Sequence, residues 1–249
     1  MKISLVTAVY NRAATVGAAL DSVRAQRGVE VEHVIVDGGS TDATLAEVER
    51  RRHSGMRVVS ERDDGVYDAL NKGIRMATGD VVGMVHSDDA LAHEGVLAQV
   101  AAAFAASGAD AVYGDLEYVS AADPSRVIRY WKSGAYHPGL LRRGWMPPHP
   151  TLFLRREVFA QHGLYDTSYR IAADYEAVLR YFGRGGISAA YVPEVLVRMR
   201  LGGESNRSLR QLLRKSREDF RALRATGMGG FGTLALKNFG KLPQFILRR

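Results

Sequence analysis

Residues 34–42 read VIVDGGSTD, an apolar run that stops at an aspartate followed by two glycines. A continuous run of β-branched apolar residues is typical of a strand buried on both faces of a parallel sheet. Similar runs occupy residues 3–9, 56–59, 80–86 and 109–113, and segments with helical spacing separate them. Strands that alternate with helices of about ten residues indicate βαβ units. The sequence therefore predicts an α/β fold, with a Rossmann-like, mostly parallel sheet flanked by helices.

The composition is that of a folded globular protein. The chain has 249 residues, of which 46% are hydrophobic and 24% are charged, and it contains no cysteine. The lack of cysteine excludes disulfides, cysteine nucleophiles and zinc–thiolate or iron–sulfur sites. No segment approaches the roughly 20 apolar residues that span a bilayer, and the first residues lack the order of a signal peptide. We therefore expect a cytoplasmic protein.

The positive charge is concentrated at the carboxyl end. Residues 207–249 contain 11 basic and 2 acidic residues, whereas the whole chain has a net charge of +7. The sequence thus predicts a domain of residues 1–206 and a basic amphipathic helical tail of residues 207–249. Spacings of three and four residues place five arginines on one helix face: Arg210, Arg214, Arg217, Arg221 and Arg224. This face would bind an anionic membrane surface, or the helix would pack on the domain. Nucleic acid is not expected as a partner, because the charge is confined to an appendage.

Carboxylates follow several strands, at the sheet edge where ligands bind in α/β folds. Asp88 and Asp89 end the fourth apolar run, and their mutual repulsion would be offset by a divalent cation. A solvated loop is the alternative. Asp37 precedes the glycine pair and could accept hydrogen bonds from a nucleotide base or ribose. The alternative is that this segment is only a turn that leads into a capped helix. Asp174 begins an apolar helix, where the helix dipole favours a carboxylate with or without a chemical role.

Several familiar motifs are excluded. Residues 227–232 match G-x-G-x-x-G by letter, but they follow a basic helix instead of a strand, so we expect a hinge there. The chain has no G-x-x-x-x-G-K-[ST] phosphate loop and no H-E-x-x-H zinc motif. We therefore expect the chemistry to rest on the carboxylates.

Taken together, these segments resemble family 2 glycosyltransferases of the GT-A fold over about residues 1–206. The resemblance is carried by an ordered set: SLVTAVYN at 4–11, VIVDGGSTD at 34–42, DGVYDALNKG at 64–73, GD at 79–80, HSDD at 86–89, HPT at 149–151, RR at 155–156, GLYD at 163–166 and ADY at 173–175. The segment at 64–73 is similar to bacterial enzymes of polysaccharide and glycolipid assembly.

The resemblance implies an inverting, metal-dependent transferase that moves a sugar from a UDP- or GDP-linked donor to a glycan or lipid-linked acceptor. Asp174 would be the general base, Asp89 would ligate Mn²⁺ or Mg²⁺, and Asp88 would face the ribose. The other implied donor contacts are Thr7, Val9, Asn11, Asp37, Asp68, Asn71 and Lys72. Many relatives carry an acid where this chain has His86, so fewer carboxylates are available for the metal.

The loop before the Asp174 helix is rich in aromatic side chains: Trp131, Tyr136, His137, Trp145 and His149. Aromatic rings in this position suit the face of a donor or acceptor sugar. They suit simple packing of the loop almost equally well, so we expect sugar contacts chiefly for Trp131, Trp145 and His149.

Two other functions stay open at this point. A sugar-nucleotide nucleotidyltransferase would share the layout and the metal, but that class expects a glycine-rich loop near the amino terminus, and residues 11–14 read NRAA. A non-catalytic, membrane-associated scaffold with a degenerate nucleotide site is the second. It is disfavoured because Asp37, Asp88, Asp89 and Asp174 are all present.

Overall fold

The computed structural model of the protein describes residues 1–201 and 209–239. The predicted boundary at residues 206 and 207 and the end of the predicted tail from residue 240 lie outside these ranges. No helix in the described ranges is both long and apolar enough to cross a bilayer.

The first half is a series of βαβ units. Its elements are β1 (Lys2–Val9), α1 (Val16–Arg24), β2 (Glu30–Asp37), α2 (Thr44–Arg50), β3 (Met56–Ser60), α3 (Val66–Met76) and β4 (Val81–Met84). Strand β1 lies between β2 and β4, β2 also pairs with β3, and all three pairings are parallel. The carboxyl ends of these strands therefore meet at one edge, and the parallel sheet predicted for this half is confirmed.

The second half extends the sheet with strands of mixed direction. Its elements are β5 (Asp89–Leu91), α4 (Val96–Ser107), β6 (Ala111–Val119), β7 (Val127–Trp131), β8 (Phe153–Arg155), α5 (Arg156–His162), α6 (Ala173–Val178), β9 (Ala189–Arg200), α7 (Leu209–Thr226) and α8 (Phe231–Phe239). The strand order is β3-β2-β1-β4-β8-β6-β9-β5, with β7 on β6. Strand β8 runs antiparallel to β4 and β6, whereas β6 and β9 are parallel. The sheet is therefore parallel up to β4 and mixed beyond it.

Two glycines of the segment at 64–73 position helix α3. Gly65 precedes the helix with a φ of +119°, a conformation that L side chains rarely adopt. Gly73 faces β1, and a Cβ there would lie 2.2 Å from Cγ1 of Val6. These glycines therefore fix where the helix begins and how closely it approaches the sheet.

Apolar side chains cover both faces of the sheet. One face packs on α3 and α6, and its cluster includes Val6, Leu70 and Tyr175. The other face packs on α1 and α4, and its cluster includes Leu5 and Phe104. Coverage of both faces explains why the strands are continuous apolar runs in the sequence.

The described part of the predicted tail packs on the domain. Helix α7 lies against α6, with Ala222 and Leu223 fully buried. Phe220 stacks on Phe231 of α8 with 4.3 Å between ring centroids. The five arginines predicted to share a face are all exposed: Arg210, Arg214, Arg217, Arg221 and Arg224. Arg221 also contacts Tyr169 and Ser168 of the domain, so packing leaves the rest of the basic face accessible, and its contact with a membrane stays a prediction.

Candidate active site

The turn after β2 and the end of β1 form one wall of the candidate site. The Asp37 carboxylate is buried and accepts hydrogen bonds from the Ser60 hydroxyl at 2.6 Å and the Ser40 amide at 3.0 Å. The side-chain oxygen of Asn11 accepts a hydrogen bond from the Thr41 amide at 2.9 Å. Asp37 and Asn11 therefore shape this turn at the predicted edge of the sheet, and their contact with a nucleotide stays a prediction.

Three other residues that were predicted to contact the nucleotide sugar have buried side chains. Thr7 and Val9 on β1 are 0% and 3% exposed, and the Thr7 hydroxyl donates to the Val85 carbonyl at 2.8 Å. Asn71 on α3 donates to the Tyr165 carbonyl at 2.8 Å and accepts from the Tyr165 amide at 3.0 Å. These placements favour structural roles for the three side chains.

Asp68 and Lys72 lie one turn apart on α3. The Lys72 ammonium is 3.5 Å from the Asp68 carboxylate and 2.9 Å from that of Glu61. The hydrogen bond to Glu61 raises the pKa of Lys72, so this group stays positively charged. Both side chains are only partly buried and remain predicted donor contacts.

Asp88 and Asp89 differ in exposure. Asp88 is partly exposed, whereas Asp89 is 1% exposed, and within the described ranges neither of its carboxylate oxygens has a hydrogen-bond partner. Burial raises the pKa of Asp89 well above its usual value, the charge of Asp88 adds to the rise, and Arg200 partly opposes it. A buried carboxylate is unfavourable unless positive charge and hydrogen bonds compensate it, and Arg200 compensates Asp89 only in part, since the pKa stays raised. Asp89 therefore fits the predicted role of metal ligand.

Asp89 is not part of a complete protein metal cage. Among residues 1–201 and 209–239, no group of three or more His, Cys, Asp or Glu side chains could hold a metal ion. Magnesium is commonly bound by one or two carboxylates together with substrate phosphates. A cation at Asp89 would therefore need oxygens from a bound diphosphate.

Two stacked histidines are affected by the charge of Asp174, and one of them also by that of Asp88. The rings of His86 and His149 stack with 5.7 Å between centroids, and His149 Nε2 lies 2.9 Å from the Tyr165 hydroxyl. Burial lowers the pKa of His149 to about 4, although the charge of Asp174 opposes this shift. Burial also lowers the pKa of His86, against the charges of Asp88 and Asp174. Both rings are therefore neutral at pH 7 and can each donate and accept a hydrogen bond.

Asp174 lies in the first turn of α6 with one carboxylate oxygen engaged. Its Oδ1 accepts a hydrogen bond from the Tyr175 amide at 2.8 Å and lies 3.3 Å from the Tyr67 hydroxyl oxygen, whereas Oδ2 accepts none from the described residues. Burial acts to raise the pKa of Asp174, but the interactions with His149, Lys215 and Lys237 and the hydrogen bond from the Tyr175 amide outweigh it, so the pKa is lowered. Asp174 is thus an ionised carboxylate with one oxygen available to accept a proton.

The predicted sugar-binding aromatics differ in their surroundings. Trp145 stacks on Tyr136 with 5.1 Å between ring centroids and meets Tyr113 edge-on at 5.6 Å. Trp131 ends β7 and is partly exposed. Much of the Trp145 ring is therefore occupied by packing against other aromatic rings. Sugar contacts of Trp131, Trp145 and His149 stay predictions.

Three residues of this site were not found by sequence reasoning. Tyr67 contacts Asp174, and Tyr165 contacts His149. Both tyrosines lie in segments that carry the family resemblance, 64–73 and 163–166, but the sequence assigned neither of them a role. Glu218 accepts hydrogen bonds from the backbone just before Asp174. It lies in the predicted tail, where the sequence gives no sign of a link to the site.

The family follows from a comparison with known protein families. Residues 4–163, more than half of the chain, match the family model described as glycosyl transferase family 2. The chain belongs to glycosyltransferase family 2. The predicted resemblance is thereby confirmed, and the enzyme moves a sugar from a nucleotide sugar. This assignment favours glycosyl transfer over nucleotidyl transfer and over a non-catalytic scaffold.

Two relatives of this glycosyltransferase are named for biosynthetic roles. It is 34% identical over 208 residues to a PGL/p-HBAD biosynthesis glycosyltransferase of Mycobacterium tuberculosis, covering 82% of this chain and 78% of the relative. It is 30% identical over 200 residues to the succinoglycan biosynthesis protein ExoO of Rhizobium meliloti, covering 74% and 56% of the two chains.

Solved structures confirm the GT-A fold of this glycosyltransferase. S. aureus TarS 1-349 in complex with UDP-GlcNAc superposes with a TM-score of 0.71 at 19% identity, covering 91% of this chain and 65% of that one. The mannosyltransferase PcManGT from Pyrobaculum calidifontis in complex with GDP-Man and Mn²⁺ gives a TM-score of 0.67 at 20% identity, covering 98% and 72%. At these identities the likeness concerns the fold.

Proposed function

We propose that this glycosyltransferase transfers the sugar with inversion from a UDP- or GDP-linked donor to a hydroxyl of a glycan or lipid-linked acceptor. The observation that carries the proposal is the ionised Asp174, whose Oδ2 accepts no hydrogen bond from the described residues. Its charge and that of Asp88 both act on His86. Inversion needs one in-line displacement, and therefore one base suffices. Glycoside hydrolysis, in contrast, usually needs two carboxylates flanking one bond.

The proposed chemistry divides among a few side chains. Asp174 accepts the proton of the acceptor hydroxyl, which is otherwise a poor nucleophile. Asp88 faces the ribose, and Asp37 and Asn11 shape the part of the site that receives the base. Asp89 would hold Mn²⁺ or Mg²⁺, and such a cation stabilises the negative charge of a departing diphosphate without proton transfer.

The relatives support the choice of substrates. The M. tuberculosis relative is named for PGL/p-HBAD biosynthesis and the R. meliloti relative for succinoglycan biosynthesis. Among the structural neighbours, one holds UDP-GlcNAc, one holds GDP-Man and Mn²⁺, and the M. tuberculosis glucosyl-3-phosphoglycerate synthase holds Mg²⁺ and UDP. A uridine or guanosine donor and a divalent cation therefore have precedents on this fold.

Nucleotide binding is expected to depend on the metal. In a thermal-shift screen with UDP, GDP, UDP-GlcNAc and GDP-mannose, at least one nucleotide should stabilise the protein more with Mn²⁺ or Mg²⁺ than with EDTA. At a hundred times the dissociation constant the gain is about 2.7 kcal/mol. ATP serves as the control nucleotide. Equal shifts with metal and with EDTA would contradict metal dependence, and no shift beyond that of ATP would contradict the proposed donors.

The basic face of α7 is proposed to bind an anionic membrane, where a lipid-linked acceptor would lie. Four apolar side chains of α7 and α8 are also exposed: Leu212 at 53%, Leu213 at 63%, Phe231 at 77% and Leu236 at 53%. An amphipathic helix with exposed basic and apolar side chains is suited to the interface of anionic lipid. The predicted cytoplasmic location stays a prediction and agrees with such peripheral attachment.

Removing charge from this face is expected to weaken membrane binding. Arg210, Arg217 and Arg224 are exposed, and each basic residue near an anionic surface contributes about 1 kcal/mol. Replacing all three with glutamine should therefore lower the partition onto phosphatidylserine-containing vesicles by roughly 10²-fold at low salt. Vesicle co-sedimentation measures this effect.

The matched control removes the same charge elsewhere. Arg27, Arg50 and Arg52 are exposed arginines near the α1 and α2 side of the domain, and their triple glutamine variant should bind vesicles nearly as well as the wild type. Equal losses in the two triple variants would show only a net-charge effect. A wild-type protein that ignores anionic vesicles at low salt would show that α7 is not a membrane-binding helix.

A further inference from the structure

The backbone that leads into the Asp174 helix is held by a side chain from α7. Three consecutive N–H groups donate to the Glu218 carboxylate: Arg170 to Oε1 at 3.2 Å, and Ile171 and Ala172 to Oε2 at 2.8 and 3.1 Å. Glu218 is 8% exposed. Hydrogen bonds to a charged acceptor are about twice as strong as neutral ones, so this contact is a firm attachment.

A second side chain of α7 contacts the segment that leads into the Asp174 helix. Arg221 lies one turn after Glu218, on the same helix face. Its guanidinium carbon lies 3.6 Å from the centre of the Tyr169 ring, and Nη2 donates to the Ser168 hydroxyl at 3.2 Å. Residues 168–172 are therefore attached to α7 at both ends.

The opposite side of this stretch is attached to α3 and the turn before it. The Tyr67 hydroxyl donates to the Ile171 carbonyl at 2.8 Å, and the Arg170 guanidinium donates to the Asp64 carbonyl at 2.6 Å. Asp174 follows Ala172 by two residues. The position of its carboxylate is therefore set by contacts from α3 on one side and from α7 on the other.

We infer that Glu218 is a positioning residue for Asp174. Helix α7 would then contribute to catalysis by holding the backbone that precedes the base. The inference rests on the proposed role of Asp174 as the base. Glu218 does not contact the substrate; it fixes the backbone path that aims the Asp174 carboxylate. A displacement of 1 Å at a reacting group can cost about 10²-fold in rate.

The test replaces Glu218 with glutamine, which keeps the size but offers one acceptor oxygen where the carboxylate has two. We expect kcat to fall by roughly 10²-fold, while the KM for the donor and the affinity for its nucleoside diphosphate stay within a few-fold. The rate is that of nucleoside diphosphate release from UDP-GlcNAc or GDP-mannose with Mn²⁺. Should Glu218→Gln fail to fold, Glu218→Asp takes its place, because it keeps the charge but is shorter by one methylene.

Glu32→Gln is the matched control. Glu32 is 6% exposed and accepts hydrogen bonds from the Thr78 amide at 2.8 Å and the Ser4 hydroxyl at 2.5 Å, toward the amino-terminal end of the parallel strands. We expect a comparable loss in melting temperature and a kcat near that of the wild type. If Glu32→Gln lowered kcat as much as Glu218→Gln, the effect would be one of stability, and the inference would be overturned.

A double variant separates this inference from the proposed function. If Glu218 acts through Asp174, adding Glu218→Gln to Asp174→Asn slows the enzyme no further, whereas fully additive losses would overturn the inference. A wild-type rate in Glu218→Gln beside an inactive Asp174→Asn would overturn the inference alone. A wild-type rate in Asp174→Asn would remove the proposed base and the inference with it.

Discussion

Asp174→Asn is expected to slow sugar transfer by about 10²–10⁴-fold, the usual contribution of a positioned general base. The amide keeps the size of the carboxylate and can still accept the hydrogen bond that reaches Oδ1 from the Tyr175 amide. It cannot take up a proton at pH 7. The loss should therefore appear in kcat, with nucleoside diphosphate affinity nearly unchanged.

The alternative for Asp174 is a structural acid at a helix start. Because asparagine also serves well at helix starts, that alternative predicts little change in rate or melting temperature. Asp166→Asn is the control, since Asp166 is exposed in the same stretch and accepts a hydrogen bond from the Ser168 amide at 2.9 Å. Transfer by Asp174→Asn within a few-fold of the wild type would contradict the base assignment.

Asp89→Asn is expected to weaken metal-dependent nucleoside diphosphate binding and to lower transfer by roughly 10²-fold or more, since a metal ion supplies several kcal/mol of stabilisation to the transition state. In EDTA the variant should not be less stable than the wild type. Its carboxylate is buried without hydrogen-bond partners among the described residues, and its pKa is raised by burial. Neutralising it therefore removes an unfavourable charge.

Asp88→Asn is the contrasting variant. Asp88 is partly exposed and is proposed to face the ribose, so its loss should weaken nucleotide binding to a similar degree with and without metal. Calorimetric titration with Mn²⁺ and with EDTA distinguishes the two variants. Undiminished Mn²⁺-dependent binding by Asp89→Asn would contradict its role as a ligand.

The first half of the fold was predictable because each of its strands is a continuous apolar run with a polar turn after it. Strand β9 was missed since Pro193 lies within it, and proline argues against a strand in the interior of a sheet. Strand β5 has only three residues, too few for a periodic pattern. The mixed direction of the second half depends on pairings between distant segments, such as β4 with β8.

The candidate site was predictable where the residue type itself indicates the chemistry, as a carboxylate at the end of a strand or the start of a helix does. Asp88, Asp89 and Asp174 are acids at strand or helix ends, and the charges of Asp88 and Asp174 both act on His86, whose ring stacks on that of His149. Asn71 lies in a segment that resembles the family and was predicted to contact the nucleotide sugar. Its side-chain amide instead bonds to the Tyr165 backbone, 94 residues away in sequence. Such a partner, like the attachment of Glu218 to residues 170–172, depends on tertiary packing.

The central claim is that donor binding and proton transfer reside on different carboxylates of one site. Calorimetric titration with UDP and with GDP, in Mn²⁺ and in EDTA, tests it on the wild type, Asp89→Asn and Asp174→Asn. We expect Asp89→Asn to lose the Mn²⁺-dependent part of the affinity, whereas Asp174→Asn keeps it within a few-fold. Loss of that part in Asp174→Asn, or its retention in Asp89→Asn, would show that the two roles are not divided in this way.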